Sequence, residues 1–162
     1  MPHEKIAKTN AARLLDRQGI PYVLHRVAVD ESDLSALTVA ARLGVDPAMV
    51  FKTLVARADR AGVIMACIPA CAELDPRALA AACGSRHAAL VPLAEVRPLT
   101  GYMRGGCSPL AARKAYPVFM DESALERERI FLSAGLRGVQ LELSPRDAAT
   151  ACGAVFAKLA RD

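Results

Sequence analysis

The chain has 162 residues and a net charge of +4, from 21 Lys and Arg against 17 Asp and Glu. With 53% hydrophobic residues it carries enough apolar side chain to outweigh the entropy of ordering, which excludes an intrinsically disordered protein. Aromatic residues make up only 4%, with no Trp, which argues against a reader of single-stranded nucleic acid built on stacked rings.

The spacing of Ile6, Asn10 or Ala11, Leu14 and Leu15 predicts a helix over 5–18, stopped by Gly19 with Pro21 just beyond. Tyr22–Val29 then reads as a strand. After the polar turn 30–33, Asp33 or Ser35 can cap a helix that runs to Leu43 and ends at Gly44. Asp46-Pro47 opens a short helical turn, because Asp caps well and Pro suits the first helical position. Val50–Arg57 and Val63–Ile68 are strong strand candidates, and the short Gly-containing link between them reads as a hairpin. Asp75-Pro76 starts a helix over Arg77–Cys83. A short strand at His87–Val91 and a helical turn at Leu93–Val96 follow. Pro117–Asp121, Arg129–Ser133 and Val139–Leu143 are further strands, and Ser144 caps a C-terminal helix. Strands and helices alternate irregularly and several strands suit antiparallel pairing, so the expected class is α+β, in one domain over 1–162.

No stretch of about 18 uncharged apolar residues is present, so no membrane-spanning helix is expected. The opening residues MPHEKIAKTNAARLLDRQG mix charges throughout and show no signal-peptide pattern. Cys67, Cys71, Cys83, Cys107 and Cys152 form an odd set without a secretory leader, which reads as free thiols in a cytoplasmic protein. No CxxC occurs, and His3, His25 and His87 lie far apart, so neither a zinc site nor another metal or cofactor is expected.

Three features carry possible chemistry. Lys52 shares its strand face with Val50, Leu54 and Ala56, all apolar; such a lysine either snorkels to the sheet edge or lines a pocket. In a pocket, desolvation favours its neutral form and an anionic substrate restores its charge. Thr100–Pro109, with three glycines, is an irregular loop whose successive N–H groups can cradle an anion, or an ordinary turn; it lacks the GK[ST] of a P-loop. Ser133–Gly138 is a second glycine-containing turn after a strand, either a hairpin link or a place where Ser133 and the Gly135 N–H approach a substrate. Cys107 beside Gly106 is a candidate nucleophile only if His25 or His87 serves as its base, and Ser108 lacks the G-x-S-x-G elbow.

The segments KTNAARLLD (8–16), GIPY (19–22), VFKTLV (50–55), AELD (72–75), LTGYMRGGCSPL (99–110), YPVFMDES (116–123) and SAGLRGVQLELSP (133–145) closely resemble the YbaK/EbsC family, in one register from about residue 5 to residue 155. These are freestanding relatives of the editing domain inserted into bacterial prolyl-tRNA synthetases. The resemblance implies a mixed, barrel-like β-sheet flanked by helices. It also implies a hydrolase that deacylates mischarged tRNA in trans, chiefly Cys-tRNA(Pro) and with Cys-tRNA(Cys) as a further substrate. The family's essential lysine corresponds to Lys52, and its pocket to Tyr22, Phe51, Thr53, Gly105, Gly106, Ser108, Ser133 and Gly135. Some relatives have Asp where this chain has Gln140. The expected mechanism uses the Gly105 and Gly106 N–H groups to hold the carbonyl oxygen, while the substrate's own thiol attacks the ester. At +4, tight salt-resistant tRNA binding is not expected, so aminoacylated tRNA(Pro) is expected to arrive in a complex with prolyl-tRNA synthetase. Competing expectations are an alanyl-specific deacylase on the same fold, a non-catalytic module that binds tRNA or a synthetase, and a thiol hydrolase built on Cys107.

Overall fold

The computed structural model describes residues 6–161; His3 and the first residue of the expected N-terminal helix, Lys5, lie outside them. The helix α1 (Asn10–Arg17) starts later than the spacing suggests, because the Thr9 hydroxyl accepts the Ala12 N–H at 3.2 Å and fixes the N-terminus there. Its buried stripe is Ala11, Ala12 and Leu15. Strand β1 (Val23–Arg26) is shorter than expected, since β7 offers partners only for those four residues.

Helix α2 (Ala36–Leu43) is capped by Ser35 and terminated by Gly44 in the left-handed region, and Asp46 caps the short 3-10 turn Pro47–Met49. The hairpin is β2 (Phe51–Ala58) and β3 (Gly62–Pro69), paired from Phe51 opposite Pro69 to Ala58 opposite Gly62. Asp75 caps α3 (Pro76–Ala82), and β4 (Ala88–Leu90) follows as expected. Helix α4 (Leu93–Thr100) runs a turn further than the sequence suggests and contains Pro98. After a long irregular loop come β5 (Val118–Asp121), a 3-10 segment (Glu122–Glu126), β6 (Ile130–Leu136), β7 (Val139–Leu143), α5 (Pro145–Cys152) and β8 (Val155–Ala157).

These strands make two sheets. One has the order β1-β7-β6 and is antiparallel; the other has the order β4-β2-β3-β5-β8, antiparallel around the hairpin and parallel from β3 to β5 to β8. The class is α+β, as expected. The barrel-like expectation is corrected: the sheets meet through one parallel bridge, Val50 to Phe131, and neither closes on itself, so the scaffold is two open sheets with a seam. Leu132, Leu141 and Leu143 turn one face of the smaller sheet into a core with α1. Ile64, Ile68, Leu79 and Leu159 fill a second core on the larger sheet, and Ala40, Val50, Ala70 and Phe131 lock α2 to the seam.

Asp121 anchors the segment that follows the chain's last strand. Its Oδ1 accepts the Leu159 and Ala160 N–H groups at 2.9 and 3.0 Å, and its Oδ2 accepts the Ser123 N–H at 3.2 Å. Burial pushes this carboxyl up, but its hydrogen bonds outweigh that and hold it below its ordinary value. Among the described residues no helix is long and apolar enough to cross a membrane.

Candidate active site

The seam between the sheets opens into a cavity of about 370 Å³ that starts at Val50 and follows β2 to Val55. Lys52 projects into it. Its Nζ donates to the Ala70 carbonyl at 3.4 Å, longer than a well-formed hydrogen bond, so its other N–H groups are left for a ligand. The strand pattern that singled out Lys52 therefore resolves toward a pocket lysine. Thr53 lies beside it, its hydroxyl 3.6 Å from the buried Cys67 thiol, and Phe51 contributes a wall while sitting almost wholly in the core.

Opposite β2, the smaller sheet presents Ser133 and Gln140, which are direct cross-strand partners and so share a face. The Ser133 oxygen accepts the Gly135 N–H at 3.1 Å across a bulge in β6, which leaves the hydroxyl proton to donate into the cavity. Gln140 is only 5% exposed and brings a neutral amide to the same end.

The loop after α4 supplies the third wall. The Gly106 N–H donates to the Met103 carbonyl at 2.9 Å, closing a turn in which Gly105, at φ +83°, occupies the position that demands positive φ in a type II turn. Gly105 faces the cavity, and the turn does not use its N–H. The Gly106 N–H is spent inside the turn, so of the two glycines expected to hold a carbonyl oxygen only Gly105 remains available. The loop is pinned by Arg137, whose Nε donates to the Arg104 carbonyl at 2.6 Å from the β6–β7 turn.

Lys52, Phe51, Thr53, Gly105 and Ser133 thus meet around one cavity, whereas four other residues singled out in the sequence lie off its wall. The Tyr22 hydroxyl donates to Asp16 at 2.8 Å, an oxygen pair that Lys8 also binds, and its ring packs on the main core. Ser108 is fully buried and its oxygen accepts the Leu110 N–H at 3.2 Å, a turn-forming role. Gly106 abuts the backbone of Leu136 and Arg137. Gly135 lies under the Tyr102 ring: a Cβ there would stand 2.9 Å from Cε1. These residues hold the walls in place from behind.

Sequence reasoning passed over Arg104 and did not place Gln140 and Cys107 on the lining. Alternation along Val139–Leu143 does put Gln140 on the polar face of β7, but nothing in the sequence tells a cavity wall from a solvated face. Cys107 is a poor nucleophile. Burial pushes its thiol up to about 11, against a smaller downward pull from Thr100. His25 is committed to Glu142 at 2.7 Å, and His87 is exposed at the far end of β2, beside Asp59. Among the described residues no group of three His, Cys, Asp or Glu side chains could hold a metal ion.

Solved structures share this scaffold. The crystal structure of the hypothetical protein APE2540 superposes with a TM-score of 0.85 at 27% identity, covering 94% of this chain and all of that one. A proposed trans-editing enzyme for prolyl-tRNA synthetase superposes with a TM-score of 0.80 at 21% identity, over 96% of this chain and all of that one, and so shares the fold. The chain belongs to the aminoacyl-tRNA editing domain family, whose sequence profile matches residues 31–151. EbsC of Enterococcus faecalis (strain ATCC 700802 / V583), named as a proposed Cys-tRNA(Pro)/Cys-tRNA(Cys) deacylase, is 38% identical over 152 residues, 94% of this chain and 93% of that protein.

Proposed function

We propose that this protein is an aminoacyl-tRNA deacylase acting in trans in the cytoplasm, which removes cysteine from Cys-tRNA(Pro) and from Cys-tRNA(Cys), and that residues 1–162 form one editing domain. The observation that carries this reading is the make-up of the cavity's polar end. Lys52, Ser133, Gln140 and the Gly105 turn surround it, and no histidine or carboxylate on its wall can serve as a general base. A site without a base suits a substrate that brings its own nucleophile.

In this mechanism the cysteinyl sulfur attacks the ester carbonyl carbon. The carbon–oxygen bond to the terminal ribose breaks, a cysteine thiolactone forms, and the thiol proton ends on the ribose hydroxyl; water then opens the thiolactone. The protein's part is to fold the substrate into the attacking geometry and to stabilise the developing oxyanion. The Gly105 N–H and the Ser133 hydroxyl are the donors suited to that oxygen. The Lys52 ammonium is suited to the ribose and its phosphate, or to guiding the thiol proton. Prolyl-tRNA synthetase, in a complex with the tRNA, is the partner that would supply the affinity a charge of +4 does not.

The test is deacylation of Cys-tRNA(Pro), Cys-tRNA(Cys) and Ala-tRNA(Pro) by the wild type and by Lys52→Ala, with and without prolyl-tRNA synthetase. Release of cysteine by the wild type and its loss in Lys52→Ala are expected. Preferential release of alanine would move the protein to the sister specificity. No release from any substrate would favour a binding module, and full-rate hydrolysis of S-methylcysteinyl-tRNA would sink the thiol attack.

A further inference from the structure

The chain's excess of positive charge is not spread over its surface. Residues 96–120 hold four cations, Arg97, Arg104, Arg113 and Lys114, and no carboxylate, so this one segment accounts for the whole net charge of +4. All four residues are exposed. Elsewhere cations sit beside carboxylates: Lys8 pairs with Asp16, Arg57 with Glu95, Arg127 with Asp46 and Arg129 with Glu142. Among the described residues the side chains of Arg97, Arg104 and Lys114 have no partner, and Arg113 donates to the Pro98 carbonyl alone, at 3.4 Å.

The fold gathers the four on one side of the cavity mouth. Arg104 lines the cavity beside Gly105. The Arg113 N–H bonds the Thr100 carbonyl at 2.8 Å, which lays residues 113 and 114 against the C-terminal turn of α4, where Arg97 also sits. The other rim carries the opposite sign. Residues 27–41, which reach the cavity at Leu34 and Ser35, hold Asp30, Glu31 and Asp33 and no cation. Like charges left unneutralised repel one another and cost the fold stability, so a band free of carboxylates suits a polyanion that neutralises it.

Resting on the deacylase reading, we propose that the tRNA leaves the cavity over the α4 rim, with Arg104, Arg97, Arg113 and Lys114 on phosphates of its acceptor arm, and away from the carboxylates of the α2 rim. Such contacts set the position and direction of the RNA and read no base. The direction follows from sign: one rim attracts a phosphate and the other repels it.

The experiment is fluorescence-anisotropy titration of the full chain with an unacylated acceptor-arm hairpin of tRNA(Pro), over a series of KCl concentrations. Four phosphate contacts give a slope of log Kd against log salt of about 3. Arg97→Gln/Arg113→Gln/Lys114→Gln should bring that slope to about 1 and weaken binding at least about tenfold at low salt. KM for Cys-tRNA(Pro) should rise more than kcat falls. Arg97→Gln/Lys114→Gln repeats the test without touching the Arg113 hydrogen bond, with an expected slope of about 1.5. Arg60→Gln/Arg77→Gln/Arg86→Gln removes as much charge as the triple variant, at exposed positions in the β2–β3 turn, α3 and the α3–β4 link, and should keep the slope at about 3. Equal losses in the band and the charge-matched control would mean that net charge alone draws the RNA, and would overturn the proposal. An unchanged slope in the triple variant overturns it too. So does a gain in affinity from Glu31→Gln larger than the triple variant's loss, which would put the exit over the α2 rim. The hairpin carries no amino acid, so this result is distinct from failure of the deacylase reading, which would show as a wild type that releases none.

Discussion

Gly135→Ala puts the link between the second wall and the Gly105 turn to a quantitative test. Gly135 sits at φ +100°, and an added Cβ would lie 2.9 Å from Tyr102 Cε1 and 3.4 Å from its Cζ and hydroxyl oxygen. The left-handed backbone costs an L side chain about 1–2 kcal/mol, and forcing a methyl group against a packed ring costs about 1–3 kcal/mol more. Tyr102 cannot retreat freely, because its hydroxyl donates to the Leu110 carbonyl and its N–H to Thr100. The expected loss is about 2–5 kcal/mol, or roughly 5–15 °C in Tm for a domain of this size. Gly153→Ala is the matched control: its φ is +69° and a Cβ there meets nothing within 4 Å, so only the backbone term of about 1–2 kcal/mol applies. Thermal unfolding followed by circular dichroism gives both numbers, and deacylation kinetics on the same samples should show kcat/KM falling for Gly135→Ala alone, as Tyr102 shifts the turn two residues beyond it. Equal Tm losses for the two variants, or full activity in Gly135→Ala, would refute the argument.

Ser133→Ala removes a donor from the polar end and strands the Gly135 N–H; kcat should fall about 10²–10³-fold with a smaller change in KM, measured on Cys-tRNA(Pro). Cys107→Ala should keep activity, and thiol reagents at neutral pH should label Cys107 slowly because burial holds its thiol up at about 11. Asp121→Asn should cost about 2–4 kcal/mol in denaturant unfolding, since hydrogen bonds to a charged acceptor are worth about 1.5–3 kcal/mol. The folded Asp121 carboxyl lies below its ordinary value of 3.8, so its contribution is complete above that pH and is lost as pH falls through the lower folded value. The wild type should therefore lose stability more steeply than Asp121→Asn below pH 3.8.

Local chemistry was the legible part of this chain. Asp46, Asp75 and Ser144 cap the elements they were expected to cap, and of the two candidates Asp33 and Ser35 it is Ser35 that caps α2, because a cap is decided within a few residues. The hairpin was legible for the same reason. Strand β8 went unread: three residues, Val155–Ala157, carry no periodicity, and only parallel pairing with β5 makes them a strand. The helical turn expected at Leu93–Val96 runs on through Pro98 to Thr100, whose hydroxyl donates to the Val96 carbonyl at 2.7 Å. At the site, Lys52 stood out because a charge on an apolar strand face is a local contradiction. Gln140 did not, because its burial depends on where another sheet lies.

The parallel run β3-β5-β8 also sets an order of events during synthesis. Strand β5 pairs with β3 on one side as soon as residues 118–121 are available, but its other edge is completed only by residues 155–157. Until then a growing chain carries a bare, apolar strand edge, the kind that recruits a neighbouring nascent chain. The seam that holds Lys52 against Ser133 likewise needs β6, some eighty residues further on. Both sheets and the cavity between them therefore come together late and nearly at once, so that the last tenth of the sequence decides whether the first half becomes an enzyme or an aggregate.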